Sequence, residues 1–350
     1  MKACSVVGTA ASWRPILAAY LENMHHRVPF CSYVDILRTN EGEAEVQVMA
    51  HPARMQLIQL YMACAIGACV KQLIGAVSPA AQAHEFLERA LALQAMLQGK
   101  EEVGLVDQAE ITLWLVLYKL RTSYTNEVWS LIGSAMRAAI AADLHRERHY
   151  HDRMPPPEAE RHCLLFWAVY TIERNVCWAM RRPFSLADYD IDVRLPTPLS
   201  HPACLQGNES NKYPNRPVDL RMFITSIRLA CINSQVYVQA YRTGRDCVAS
   251  DVLPLLEQMR ELDVALPQCS APDYEFLQLH INISVRMLIK PLLSTLYSSD
   301  SLTRSCLEAA GAVCRLFKRL RLNHSIGFSS PMIKSVFLGR NDYLVRAMET

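Results

Sequence analysis

The chain has 350 residues, 51% of them hydrophobic, and its 36 Lys and Arg against 34 Asp and Glu leave a formal net charge of +2. That length and apolar content suffice for a sizeable core, whereas the nearly balanced charge excludes the surplus of cations with which a domain neutralises a phosphate backbone unaided. Glycine is scarce, 12 of 350, and stretches rich in Ala, Leu, Met, Glu and Arg run between turn signals, so composition predicts an all-α fold.

The amino terminus offers Lys2, a short mixed run to Ala11 and then Arg14-Pro15, too brief for a signal-peptide core. His25-His26 and the acidic run Glu41 to Glu45 read as surface or loop residues. Apolar residues recurring at three- and four-residue intervals predict helices over 53–75, 80–97, 106–121, 126–146, 158–181, 219–242, 250–263, 273–297 and 302–322. The longest apolar stretch, Leu57 to Val70, is interrupted by Gln59 and falls short of the ~20 residues that span a bilayer. The expectation is therefore an intracellular, soluble chain without membrane contact.

Two connectors break this series. The first, His149 to Pro157, ends in Pro155-Pro156-Pro157 just before Glu158, where an acidic residue suits a helix start. The second, Pro183 to Pro217, holds six prolines and cannot be a regular helix; it is expected to run extended along the helical body. With no internal repeat, these elements predict a single multi-helix domain of packed antiparallel helices over 15–325, flanked by an N-terminal segment 1–14 and a C-terminal segment 326–350.

No chemistry-bearing motif stands out. The chain contains no G-x-S-x-G, G-x-G-x-x-G, Walker-type loop or H-E-x-x-H. None of its 12 cysteines is paired as C-x-x-C, and most sit in apolar runs, so they read as buried, reduced thiols. His145 and His149 stand four apart, with His151 and Asp152 beyond. They can be imagined as metal ligands but are better read as cations near a helix end; no metal or other cofactor is expected. Arg315, Lys318, Arg319 and Arg321 alternate with Leu316, Phe317, Leu320 and Leu322, the pattern of an amphipathic helix with a solvated basic face rather than a DNA-reading helix.

Trp129 to Pro196 is the informative stretch. It opens Trp129-x-Leu131-x-Gly133-x-Ala135-x-Arg137-x-Ala139, passes through Leu144-His145-Arg146 and Glu160-Arg161, and continues with Phe166-Trp167-Ala168-Val169-Tyr170 and Glu173-Arg174. It closes Arg182-Pro183-Phe184-Ser185 and Asp190-Ile191-Asp192-Val193-x-Leu195-Pro196. At helical spacing Phe166, Tyr170, Arg174 and Cys177 share one side, which sets an arginine at the edge of an aromatic face, where stacking or a carboxylate can satisfy it. Pro183 must end the helix that precedes it. Arg182 is expected to anchor the long connector by bonding several carbonyls or the carboxylates of Asp190 and Asp192.

In order and spacing these residues resemble the fungal-specific transcription factor domain, the middle homology region that follows a binuclear zinc cluster in fungal regulators. Tyr20-Leu21-Glu22, Val28-Pro29-Phe30, Ala65-Ile66-Gly67-Ala68 and Leu288-Ile289-Lys290-Pro291-Leu292 extend the likeness over roughly 15–325. The chain departs from the pattern at Asp143 and Arg181, where the family has glycines, at Glu173 for aspartate, and at Lys290 for arginine. Only Cys4 and Cys31 fall in the first forty residues, too few for the six thiolates of a zinc cluster.

The resemblance implies a nuclear transcription regulator, represented by its effector and regulatory domain, that governs a metabolic or secondary-metabolite gene cluster. Its implied partners are other transcription regulators or a second copy, together with a small-molecule effector; direct DNA contact is not expected from this chain alone. The alternative is a sensing or protein-interaction module that acts as a co-regulator. Neither implies an enzyme. Trp129, Arg137, His145, Arg146, Trp167, Tyr170, Arg174 and Arg182 are the candidate ligand or regulatory residues.

Overall fold

The computed structural model describes residues 13–31, 51–73, 80–98, 103–122, 126–200, 218–241, 244, 246–297 and 299–323. Glu41 to Glu45, the prolines at 202, 214 and 217, and the segment 326–350 lie outside them. The described chain is all-α, as the composition predicts. The described residues divide into two compact units, one drawn from Met1–Tyr170 and Ser185–Leu220, the other from Thr171–Phe184 and Arg221–Thr350.

The first unit starts with α1 (Arg14–Tyr20), which runs into a π-helical turn, Leu21–His25. It continues with α2 (His51–Leu73), α3 (Ala80–Gln98), α4 (Leu105–Thr122) and α5 (Asn126–Ala141). The long helix α6 (Pro156–Met180) begins at the proline cluster, with Glu158 in its first turn. Prolines are tolerated there because the first N–H groups of a helix have no partner to lose.

Helix α2 is buried nearly all round, with Ile58, Met62, Ala63, Cys64, Ala65 and Ile66 at 2% exposure or less. It is the one helix among the described residues apolar and long enough to cross a membrane, yet its most apolar stretch is 89% buried in the fold, the pattern of a core helix. Gly67 lets α1 cross it closely: a Cβ there would stand 2.1 Å from the Ile16 carbonyl oxygen. Trp114 on α4 and Phe166 and Tyr170 on α6 supply fully buried aromatics.

The sequence periodicity does not foresee α1, because one and a half turns behind a proline offer too few apolar repeats. Helix α5 is also shorter than the expected 126–146. It stops at Ala141 because Asp143 turns left-handed, with φ of 57°. The Leu144 N–H then bonds the Ala139 carbonyl and the Asp143 N–H bonds that of Ile140, which together make a Schellman cap. Past α6, the described connector forms a 3-10 turn at Asp188–Asp190 and an extended run. A two-residue antiparallel pairing of Leu199 with Asp219 and Ser200 with Val218 follows.

The second unit holds the last turns of α6 and helices α7 (Arg221–Ala240), α8 (Ala249–Val264), α9 (Ala271–Ile289) and α10 (Ser301–Leu322). Ser270 caps α9 and Asp300 caps α10 through their side-chain oxygens, each accepting from an N–H that the helix leaves free. Helix α9 ends at Ile289, followed by a 3-10 turn at Lys290–Leu292, because Pro291 cannot continue it. Val236, Val252, Met259, Leu288 and Ile289 form the centre of the core. Leu279 packs with Val313 and Leu320 in a smaller cluster. Arg315, Lys318 and Arg321 are exposed on α10 opposite that apolar face, and Arg319 pairs with Glu275 at 2.9 Å.

Candidate functional site

The residues that carry the sequence resemblance meet where the connector after α6 lies back along the first unit. Helix α5 ends in the Schellman cap, the chain makes a 3-10 turn at Glu147–His149, and α6 then presents Glu160, Cys163, Trp167 and Tyr170. Against these the connector is clasped residue by residue. Tyr170 donates to Asp188 Oδ1 at 2.9 Å, Arg146 pairs with Asp190 at 3.4 Å and Arg148 with Asp192 at 3.3 Å. The Asp192 N–H donates to the His145 carbonyl, and the Glu147 N–H donates to Asp192 Oδ1 at 2.6 Å.

Arg194 is the centre of the clasp. Its backbone N–H and Nε donate to the two oxygens of Glu147 at 2.6 and 2.5 Å, and Nη2 reaches Glu160 at 2.9 Å. Its carbonyl accepts from Trp167 Nε1 at 2.7 Å and from the Cys163 thiol. Carboxylates therefore satisfy both the side chain and the backbone N–H of one residue, with stronger hydrogen bonds than a neutral acceptor gives. Burial works against the Arg194 charge, but the Glu160 carboxylate and the hydrogen bonds that Arg194 donates to Glu147 and Glu160 outweigh it and raise its pKa.

The surroundings suit a structural joint rather than a reaction centre. Burial, reinforced by Glu160, pushes the Cys163 thiol far up, which leaves it protonated and a poor nucleophile. Burial also raises the Tyr150 phenol and lowers the neighbouring His162, so each is held neutral. Among the described residues no group of three or more His, Cys, Asp and Glu is arranged to hold a metal ion. His145 and His149 do not share a helix face as their spacing suggests, because α5 has already ended. His149 instead faces Asp143 at 3.4 Å, and His151 faces Asp152 at 3.0 Å.

Of the sequence candidates, His145, Arg146, Trp167 and Tyr170 belong to this clasp. Trp129 and Arg137 do not join it: Trp129 is half-buried on α5, and Arg137 is exposed and donates to Ser134 at 3.0 Å. Arg174 lies in the second unit, where it is 1% exposed, pairs with Glu173 at 2.6 Å and stacks on Phe184 at 4.3 Å. It has both the carboxylate and the aromatic face that its position on α6 foretells. The Arg182 N–H closes a second Schellman cap on the Cys177 carbonyl, with Arg181 left-handed at φ of 55°, while Asp190 and Asp192 pair with Arg146 and Arg148.

Glu147 and Arg194 escape the sequence reading. Arg194 fills the unassigned position in Asp190-Ile191-Asp192-Val193-x-Leu195-Pro196, and Glu147 lies just past His145-Arg146. The available signal was the presence of an unassigned arginine and two glutamates, Glu147 and Glu160, inside the same motif block.

Comparison with known proteins agrees with the assembled motif. The family model described as fungal specific transcription factor domain matches residues 17–271. An uncharacterized transcriptional regulatory protein of Saccharomyces cerevisiae is 29% identical over 250 residues, which cover 67% of this chain and 18% of that protein. Protein STB5 of the same yeast is 28% identical, over 64% of this chain and 29% of its own length. Pyrimidine pathway regulatory protein 1, also from that yeast, is 24% identical, over 67% of this chain and 28% of its own length. The matched region is thus less than a third of each relative. No solved structure matches the chain. With the family model covering most of its length, the chain belongs to the fungal specific transcription factor domain family.

Proposed function

We propose that this chain is the effector and regulatory part of a nuclear transcription regulator that controls a metabolic or secondary-metabolite gene cluster. It acts without catalysing a reaction and without reading DNA itself, by pairing with a second copy or with other transcription regulators. The observation that carries this reading is the family match over 17–271, with relatives named as transcriptional regulators, one of them for the pyrimidine pathway. A formal charge of +2 agrees with DNA contact being supplied from outside these residues. A small-molecule effector fits the same reading, since spaces between helices accept apolar ligands.

Deleting the gene in its host and sequencing the transcripts tests the proposal. A coherent group of biosynthetic or metabolic genes should change together, and a tagged copy should concentrate in the nucleus. An unchanged transcriptome under conditions where the protein is made would overturn it.

A further inference from the structure

Positive charge is concentrated on α10, in the second unit. The helix holds Arg304, Arg315, Lys318, Arg319 and Arg321 against Glu308 alone, a surplus larger than the formal +2 of the whole chain. The helix dipole accounts for part of it. Arg319 and Arg321 lie in the last turn, where cations are favoured, but that effect fades beyond one turn and does not reach back to Arg315.

Arg315, Lys318, Arg319 and Leu322 stand at i, i+3, i+4 and i+7, the spacing of one helix face. All four are exposed, Leu322 at 67%. Arg315 lies back over Gly311, where a Cβ would stand 3.1 Å from its Nη1, so the glycine lets the guanidinium lie along the helix within the exposed face. Like charges at these spacings repel. Glu275 of α9, which holds Arg319 at 2.9 Å, sets one carboxylate at the edge of the face. The sequence beyond α10 does not bring the complementary charge, since Lys334, Arg340 and Arg346 outnumber Asp342 and Glu349.

We propose that this face of α10 docks an acidic, amphipathic segment of a partner protein, with carboxylates against Arg315, Lys318 and Arg319 and an apolar side chain against Leu322. Arginine clusters recognise acidic motifs through the planar fork that matches a carboxylate, and opposite charges steer the encounter. Duplex DNA fits less well: Arg315 to Leu322 is about 10 Å of helix, too short for a long row of phosphates, and the face closes on a leucine. The surface rests on charge and exposure and stands independently of the transcriptional reading.

Fluorescence anisotropy with the full chain at physiological ionic strength tests the surface, the probe being a labelled helical peptide with Glu and Leu at three- and four-residue spacing. The peptide should bind saturably, several-fold more tightly than the same peptide with Gln for each Glu or with Ser for each Leu. Arg315→Glu and Lys318→Glu should each weaken binding several-fold while the thermal midpoint stays at that of the parent chain. Arg260→Glu changes the net charge equally on α8, where Arg260 pairs with Glu257 at 3.5 Å, and should bind as the parent does. Leu322→Ser should erase the preference for the Leu peptide over the Ser peptide. No saturable binding, equal binding of the Gln peptide, or equal weakening by Arg260→Glu would overturn the proposal. So would tighter binding of a short DNA duplex than of the acidic peptide, an outcome that assigns the face to phosphate.

Discussion

At Asp143 and Arg181 two non-glycine residues adopt left-handed geometry, with φ of 57° and 55°, at the two positions where the family pattern has glycine. Both are the C′ residues of Schellman caps, so the departures lie where a side chain costs most. Asp143→Gly and Arg181→Gly should each stabilise the chain by about 0.5–1 kcal/mol in urea unfolding; the gain at Asp143 should be the smaller, because aspartate tolerates this geometry better and its carboxylate faces His149. His25 gives a pH signature. Burial, with the charge of His26 adding, lowers its pKa to about 4, whereas the unfolded chain protonates it near 6.5. Below pH 6.5 only the unfolded state takes up the proton, so stability is intact above that value and falls by about 1.4 kcal/mol per pH unit toward pH 4. His25→Phe should remove that portion of the acid sensitivity, measured as the difference between its unfolding free energy and that of the parent chain from pH 7 to 4.

Among the elements, the close crossing of α1 over α2 and the clasped connector carry the architecture. Gly67→Ala sets a methyl against the Ile16 carbonyl, and backbone cannot swing aside as a side chain can, so a loss of about 1–3 kcal/mol is expected in urea unfolding. Arg194→Ala would strand Glu147 and Glu160, which are 12% and 5% exposed at the side chain. Discounted for the partial exposure of Arg194 itself, the loss should again be about 1–3 kcal/mol in urea unfolding, accompanied by faster hydrogen exchange at the amides of residues 192 and 194. The long helices were legible because their apolar periodicity persists over four or more turns. Helix α1 was not, being too short to show a period. The clasp was half legible: its fixed residues identified the block, but the pairing of Arg194 with Glu147 spans 47 positions, which no local pattern encodes.

For the whole molecule, an all-α chain of the fungal specific transcription factor domain family carries a nearly balanced charge, 36 Lys and Arg against 34 Asp and Glu. In the first unit, charged groups pin the connector after α6, and the buried thiol beside them is held protonated. The most direct measurement is a tethering assay: the chain is fused to an unrelated DNA-binding module and transcription is read from a reporter bearing that module's site. The account predicts a several-fold change, up or down, relative to the module alone, with no change when the chain is expressed without the module. A folded, nuclear fusion that leaves the reporter unchanged would contradict it.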